Sequence, residues 1–151
     1  TVGSQDQVTT AAMILDSYRA LETLAKHSNI DKDKVAIIGW RLGGGVSLFS
    51  AWMPLKNIIS KDLGFAAHLA FYPPCFFNPE NLSFSKVPMH ILIGEDDNWT
   101  PATPCENLVD TLSENNNIGI TVYPNSHHGL IVKSLFTETK MDIVLKIVYL
   151  T

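Results

Sequence analysis

Three polar side chains of the kinds used in catalysis each follow a short apolar run of the sequence. Arg41 is the centre of a G-x-R-x-G segment, Asp97 lies in a second loop, and His128 lies in a third. In enzymes that use a nucleophile, glycines at this spacing allow a sharp turn that exposes the central side chain, while an acid and a histidine further along activate it. The order therefore predicts a hydrolytic site, but its central residue is unusual.

Arginine cannot perform the step that position 41 would require. Its guanidinium stays protonated at physiological pH and offers only hydrogen-bond donors, so it has no lone pair with which to attack a carbonyl carbon. We therefore expect acyl-enzyme formation to be lost in this chain. Three explanations stay open: a sequence error or single-nucleotide change in an active enzyme, an inactivation, or a new binding role for Arg41.

The three loops resemble those of the dienelactone hydrolase family of α/β-hydrolases. They read Ile38-Gly39-Trp40-x-Leu42-Gly43-Gly44-Gly45, Gly94-Glu95-x-Asp97-x-Trp99-Thr100-Pro101 and Tyr123-Pro124-x-x-x-His128-Gly129. The resemblance implies a cofactor-free hydrolase of small-molecule esters or lactones. It also implies a serine or cysteine at position 41, with Asp97 orienting His128 and His128 acting as the general base.

Groups beside Arg41 are candidates for substrate binding. The backbone N–H of Leu42 would stabilise an oxyanion, together with a second donor from an earlier loop that this sequence lacks. Trp40 and Trp99 flank the candidate catalytic positions and could line an apolar pocket, although tryptophans serve more often in packing.

The apolar pattern predicts strands that alternate with helices, which is typical of an α/β fold with a mostly parallel sheet. The predicted helices cover residues 11–25, 46–52, 102–112 and 131–149, and the predicted strands cover residues 35–38, 65–71, 87–93 and 118–122. Thr100 is the expected N-cap of the third helix, with Pro101 at its first position. In such a sheet the three candidate loops meet at the carboxyl ends of the strands.

Composition limits the classes of partner. The 151 residues carry a net charge of -4 and are 46% hydrophobic, so we expect one globular domain over 1–151 without a basic surface for nucleic acids. The longest apolar runs are too short to cross a membrane. The chain starts without methionine or a signal-peptide pattern, and we expect a piece of a longer domain in which strand 35–38, apolar on both faces, is an unpaired edge.

Neighbouring residues offer alternatives for two of the roles. Asp96 and His127 adjoin Asp97 and His128, but Asp97 stands four residues before Pro101, as the family acid does, and the Tyr-Pro-x-x-x-His-Gly frame favours His128. The remaining histidines, His27, His68 and His90, have no partner spacing, so we expect structural or surface roles and no metal site.

The two cysteines do not determine in which cellular compartment the protein lies. Cys75 and Cys105 belong to no C-x-x-C motif, so free thiols and a cytoplasmic protein are the default expectation. Because both follow adjacent predicted strands, they could instead approach within disulfide distance, which would indicate an exported protein.

A non-catalytic function is the alternative. Arg41, with the backbone amides of Leu42 and Gly43 at a helix N-terminus, could bind a carboxylate or phosphate. A dinucleotide site is disfavoured, because the glycines of this loop do not have the G-x-G-x-x-G spacing.

Overall fold

The structure, a computed structural model, describes residues 9–77 and 79–129. Over these residues strands alternate with helices, as the apolar pattern predicts. The helices are α1 (Thr10–Ala25), α2 (Leu42–Phe49), α3 (Met53–Ile59) and α4 (Ala102–Ser113), and the strands are β1 (Ala36–Trp40), β2 (Ala67–Phe71), β3 (Met89–Gly94) and β4 (Ile118–Tyr123). The helix predicted over 131–149 lies outside the described residues.

The four strands form one parallel sheet in the order β1-β2-β3-β4. This confirms the predicted α/β class. Because all four strands run in the same direction, the loops that follow them lie at one edge of the sheet. The candidate residues of three separate loops are brought together in this way.

The main core joins the sheet to three helices. Ile14, Tyr18 and Leu21 of α1 are buried in the same cluster as Leu48 of α2 and Leu112 of α4. Each large apolar side chain buried in this way stabilises the fold by about 1.5–3 kcal/mol relative to its exposed state. A smaller cluster of Leu69, Phe71 and Leu92 forms separately.

β1 is less buried than its apolar sequence predicts. It is the edge strand of the described sheet, and Ile38 and Trp40 are 39% and 48% exposed. These alternate residues point away from the side on which Ile37 packs into the main core. The apolar residues on both faces of this strand would favour burial, but one face is exposed, and the expectation of an apolar edge is confirmed for the described sheet.

The ends of two predicted helices differ from the structure, and one helix was not predicted. The helix expected over 46–52 begins earlier, at Leu42, and ends at Phe49, and the unpredicted α3 follows with Pro54 in its first turn, where proline is tolerated. In α4 the N-cap is Pro101, not Thr100. Thr100 does not cap the helix because its hydroxyl is hydrogen-bonded to Asp97.

Cys75 and Cys105 form a disulfide with a Cα–Cα distance of 5.1 Å. The expectation of free thiols is wrong, because the fold brings the loop after β2 against α4. Within residues 9–77 and 79–129, no helix has the length and apolar character needed to span a bilayer.

His68 is a buried histidine of β2 with a structural environment. It is 3% exposed, and its Nδ1 lies 2.8 Å from the Ser47 carbonyl oxygen and 3.2 Å from Ser50 Oγ. Burial lowers the pKa of His68 to about 4, although the hydrogen bond to the Ser47 carbonyl partly opposes this effect. His68 therefore stays neutral in the folded protein over the physiological range.

Mild acid should destabilise the chain through His68. The unfolded state binds a proton near pH 6.5 and the folded state only near pH 4, so this contribution is complete above pH 6.5 and is lost as the pH falls to 4. The full loss amounts to about 3 kcal/mol. His68→Asn keeps an N–H donor for the Ser47 carbonyl but does not titrate, so its unfolding free energy in urea should fall less between pH 7 and pH 4. Equal pH slopes for the two proteins would contradict this prediction.

Candidate active site

Arg41 occupies a sharp turn between β1 and α2. Its backbone has φ 55° and ψ -119°, a conformation that costs a non-glycine residue about 1–3 kcal/mol. The Arg41 N–H donates to the Phe71 carbonyl at 2.9 Å, and its carbonyl accepts from the Gly45 N–H at 3.0 Å. The turn is thus held by both β2 and α2, and it has the strand-to-helix form of a nucleophile elbow.

Two of the surrounding glycines are required by close backbone approach. A Cβ at Gly39 would lie 1.9 Å from the Gly43 carbonyl oxygen, and one at Gly44 would lie 2.7 Å from the Phe71 carbonyl oxygen. A Cβ at Gly43 would meet no atom of the described chain within 4 Å. The turn therefore depends on Gly39 and Gly44, whereas Gly43 has room for a side chain.

Gly39→Ala and Gly43→Ala should have opposite effects. The added methyl at position 39 overlaps rigid backbone, so we expect a loss of about 3 kcal/mol or more in the free energy of unfolding. At position 43, inside α2, alanine is the better helix former and should be neutral or stabilising by up to about 1 kcal/mol. Urea unfolding of the two variants measures the contrast, and similar losses in both would contradict it.

Asp97 and His128 form a carboxylate–histidine pair. His128 Nδ1 lies 2.8 Å from Oδ2 and 3.0 Å from Oδ1 of Asp97. The side chain of Asp97 is 0% exposed and that of His128 is 15% exposed. Because an ionised carboxylate only accepts hydrogen bonds, we assign the proton to Nδ1, which leaves a lone pair on Nε2. Nε2 is buried without a hydrogen-bond partner in the described part of the chain.

Four hydrogen bonds hold the Asp97 carboxylate. Besides His128, it accepts from the N–H groups of Trp99 and Thr100, both at 2.9 Å, and from the Thr100 hydroxyl at 3.0 Å. Burial works against ionisation of Asp97, but these hydrogen bonds together lower the pKa of its carboxyl below the ordinary value. Asp97 is therefore an anion at neutral pH and can orient the imidazole ring.

Aromatic rings connect the histidine to Arg41. The His128 ring contacts Tyr72 edge-on at 4.6 Å and Trp99 at 5.0 Å between centroids. The Arg41 guanidinium carbon lies 4.6 Å from the centroid of the Trp99 ring, within the range of a cation–π interaction. Burial raises the pKa of Tyr72, and the Asp97 charge raises it further while Arg41 partly opposes both. Both charges therefore act on the Tyr72 hydroxyl.

The other candidates from the sequence lie in different positions. Trp40 stacks on Phe71 at 5.2 Å with nearly parallel rings. His127 Nδ1 lies 3.1 Å from the backbone carbonyl of Asp96, and both side chains are exposed. The side chains of Asp97 and His128 are therefore hydrogen-bonded to each other, whereas His127 contacts the backbone of Asp96.

Leu42 is the first residue of α2. The first amides of an α-helix have no acceptor within the helix, so the Leu42 N–H can donate to a group bound at the elbow. No group of three or more potential metal ligands comes together among residues 9–77 and 79–129.

Tyr72 and Thr100 also belong to the site, although their types and spacing in the sequence do not indicate it. Tyr72 follows β2 with φ 37°, and Thr100 Oγ1 lies 3.1 Å from its carbonyl oxygen. Position along the chain could have indicated Tyr72, since it stands directly after the carboxyl end of a strand. Thr100 lies where a helix N-cap is expected, so its position in the sequence did not indicate a contact with Asp97.

The sequence of the whole chain was compared with those of known protein families. The sequence profile of the dienelactone hydrolase family matches residues 2–140. The chain belongs to this family. No curated protein sequence matches it significantly.

Solved structures share the α/β-hydrolase fold of this dienelactone hydrolase family member. Esterase 2 of Thermogutta terrifontis, phosphorylated by paraoxon, aligns over 85% of the chain with a TM-score of 0.68 and 19% identity. A Klebsiella pneumoniae protein assigned as a dienelactone hydrolase aligns over 94% of the chain with a TM-score of 0.69 and 20% identity. MGS-M1, an α/β-hydrolase from a deep-sea metagenome of the Medee basin, aligns over 82% with a TM-score of 0.63 and 21% identity. The chain spans only 53 to 62% of the length of these three proteins.

Proposed function

We propose that this family member is a carboxylic ester or lactone hydrolase whose nucleophile is missing, because Arg41 stands where a serine or cysteine would act. The observation that carries the proposal is the buried Asp97–His128 pair, whose Nε2 has no hydrogen-bond partner in the described chain. A histidine oriented in this way is the general base of a triad. The Thermogutta terrifontis esterase reacts with an organophosphate, which supports esters as the substrate class.

With serine at position 41, the groups present would supply the nucleophile, the base, the acid and one of the two oxyanion donors. The hydroxyl oxygen would attack the ester carbonyl while His128 Nε2 takes its proton, and Asp97 would stabilise the resulting imidazolium through Nδ1. The Leu42 N–H would donate to the oxyanion. The acyl group would then pass to water, with His128 as base again. With arginine the first step has no nucleophile, so the chain is catalytically impaired.

The proposal also covers the extent of the domain and the cellular compartment. We infer that residues 1–151 form a single α/β-hydrolase-like domain that acts on small molecules rather than on nucleic acids. The disulfide favours an oxidising compartment over the cytoplasm, because cytosolic thiols are kept reduced.

The direct test returns serine to position 41. Arg41→Ser should hydrolyse p-nitrophenyl acetate, and the parent chain should not. Absence of turnover in the serine variant would count against a latent hydrolytic site.

A second candidate function is binding of a small anion at the elbow. The exposed Arg41 side chain stands at the N-terminus of α2 and is held against Trp99, so its cation and the first helical amides could bind one carboxylate. Acetate or phosphate would then raise the melting temperature by mass action. An unchanged melting temperature up to high anion concentration would remove this candidate.

A further inference from the structure

The side chain of Thr100 contacts both members of the Asp97–His128 pair and a third element of the site. Its Oγ1 lies 3.0 Å from Asp97 Oδ2, 3.1 Å from the Tyr72 carbonyl oxygen and 3.2 Å from His128 Nδ1. The residue is buried. Solvent therefore cannot replace this hydroxyl without rearrangement of the loop.

The hydrogen-bonding capacity of a hydroxyl limits what Thr100 can do. It has one proton, and both Asp97 and the Tyr72 carbonyl can only accept. The ionised carboxylate is the stronger acceptor, since hydrogen bonds to charged groups are shorter and stronger than neutral ones. Thr100 therefore donates mainly to Asp97 Oδ2, while Oγ1 stays within reach of the Nδ1 proton of His128.

The contact with Tyr72 connects this hydroxyl to β2. Tyr72 has an unusual positive φ, and its ring packs edge-on against the His128 imidazole. A shift of Thr100 would thus disturb the carboxylate that holds Nδ1 and the backbone that places the ring beside the imidazole.

We propose that Thr100 is a positioning residue for the Asp97–His128 pair, because its hydroxyl donates to Asp97 Oδ2, fixes the plane of that carboxylate and lies against the Tyr72 carbonyl at the end of β2. This inference rests on the proposed function only for its effect on turnover. The orientation of Asp97 by Thr100 applies to the chain that carries Arg41. The lowered pKa of the Asp97 carboxyl agrees with it, since the Thr100 hydroxyl is among the causes.

The test compares Thr100→Val, which keeps the shape but removes the hydroxyl, with Thr100→Ser, which keeps the hydroxyl. Titration of the Asp97 carboxyl by carbon NMR in the Arg41 protein should show a pKa raised by about 1 to 2 in the valine variant, the equivalent of one hydrogen bond to a charged group. The serine variant should match the parent. Equal Asp97 titration in all three proteins would overturn the proposal.

A second readout uses the Arg41→Ser background. There Thr100→Val should lower kcat about tenfold with KM unchanged, since only the orientation of the base is disturbed, and Thr100→Ser should restore kcat. An unchanged kcat, or a loss that serine does not restore, would overturn the proposal. Thr100→Ala replaces the valine variant in both measurements if valine prevents folding. If Arg41→Ser shows no turnover, the proposed function fails, while the NMR titration still decides the role of Thr100.

Discussion

Arg41→Ser should raise kcat/KM for p-nitrophenyl acetate by about 10² to 10⁴-fold over the parent chain, the range that a positioned general base contributes. The expected gain is large because the acid and the base are already paired beside the elbow. The Asp97 carboxylate is 2.8 Å from His128 Nδ1, Nε2 has no partner in the described chain, and the elbow backbone keeps its shape with any L-residue that tolerates φ 55°.

The substitution should leave the fold intact. Serine and arginine bear the same backbone strain at φ 55°, so the elbow does not become more costly. The variant loses the contact of the guanidinium with Trp99, which is worth about 0.5–1 kcal/mol at an exposed site. Melting temperatures of the two proteins should therefore lie within a few degrees, and any change in turnover then reports on chemistry.

A matched control separates triad chemistry from background hydrolysis. In Arg41→Ser/His128→Asn the asparagine amide can still donate to Asp97 from the place of Nδ1, but no group replaces the Nε2 base. This double variant should lose most of the gain, and Arg41→Ala should show none. Comparable activity in the double variant would mean that His128 is not the base.

Covalent labelling distinguishes a formed nucleophile from complete turnover. Paraoxon should phosphorylate the introduced serine of the Arg41→Ser variant, detected as a single added diethylphosphoryl group by mass spectrometry, and should not modify the parent. Labelling without ester turnover would show that serine and histidine are coupled while stabilisation of the oxyanion by Leu42 alone is insufficient. Neither labelling nor turnover would favour anion binding at the elbow.

The fold class could be predicted from sequence because its signals are local. Apolar runs such as 65–71 and 118–122 are short and bounded by turn residues, and their alternation with helical periodicity leads to a parallel sheet. The same alternation predicts that Arg41, Asp97 and His128 lie on loops at one edge of that sheet. Their order along the chain, rather than any single motif, carried this information.

The features that the sequence did not settle depend on contacts between distant segments. The exposure of Ile38 and Trp40 depends on what lies beside β1, which an apolar run does not specify. Thr100 had two hydrogen-bonding options, a helix N-terminus and a carboxylate, and only the path of the loop after β3 decides between them. The pairing of Cys75 with Cys105 likewise depends on how α4 packs beside the loop after β2.

Loss of the Cys75–Cys105 disulfide should lower the free energy of unfolding by about 3 to 4 kcal/mol, a large share of the roughly 5–15 kcal/mol typical of a whole domain. The cross-link joins residues 30 apart, so it restricts the unfolded chain over a long loop. Both cysteines are buried, which means that reduction also leaves two thiols in the core.

Urea unfolding with and without dithiothreitol measures this effect, and Cys75→Ala/Cys105→Ala is the control, because it should be less stable than the oxidised parent and insensitive to the reductant. The loop that the disulfide ties to α4 also carries Tyr72, whose ring packs on His128. Reduction should therefore weaken the site as well as the fold, and in Arg41→Ser the ester turnover should fall when dithiothreitol is added. A parent protein that unfolds at the same urea concentration in both states would show that packing of α4, rather than the cross-link, holds this loop in place.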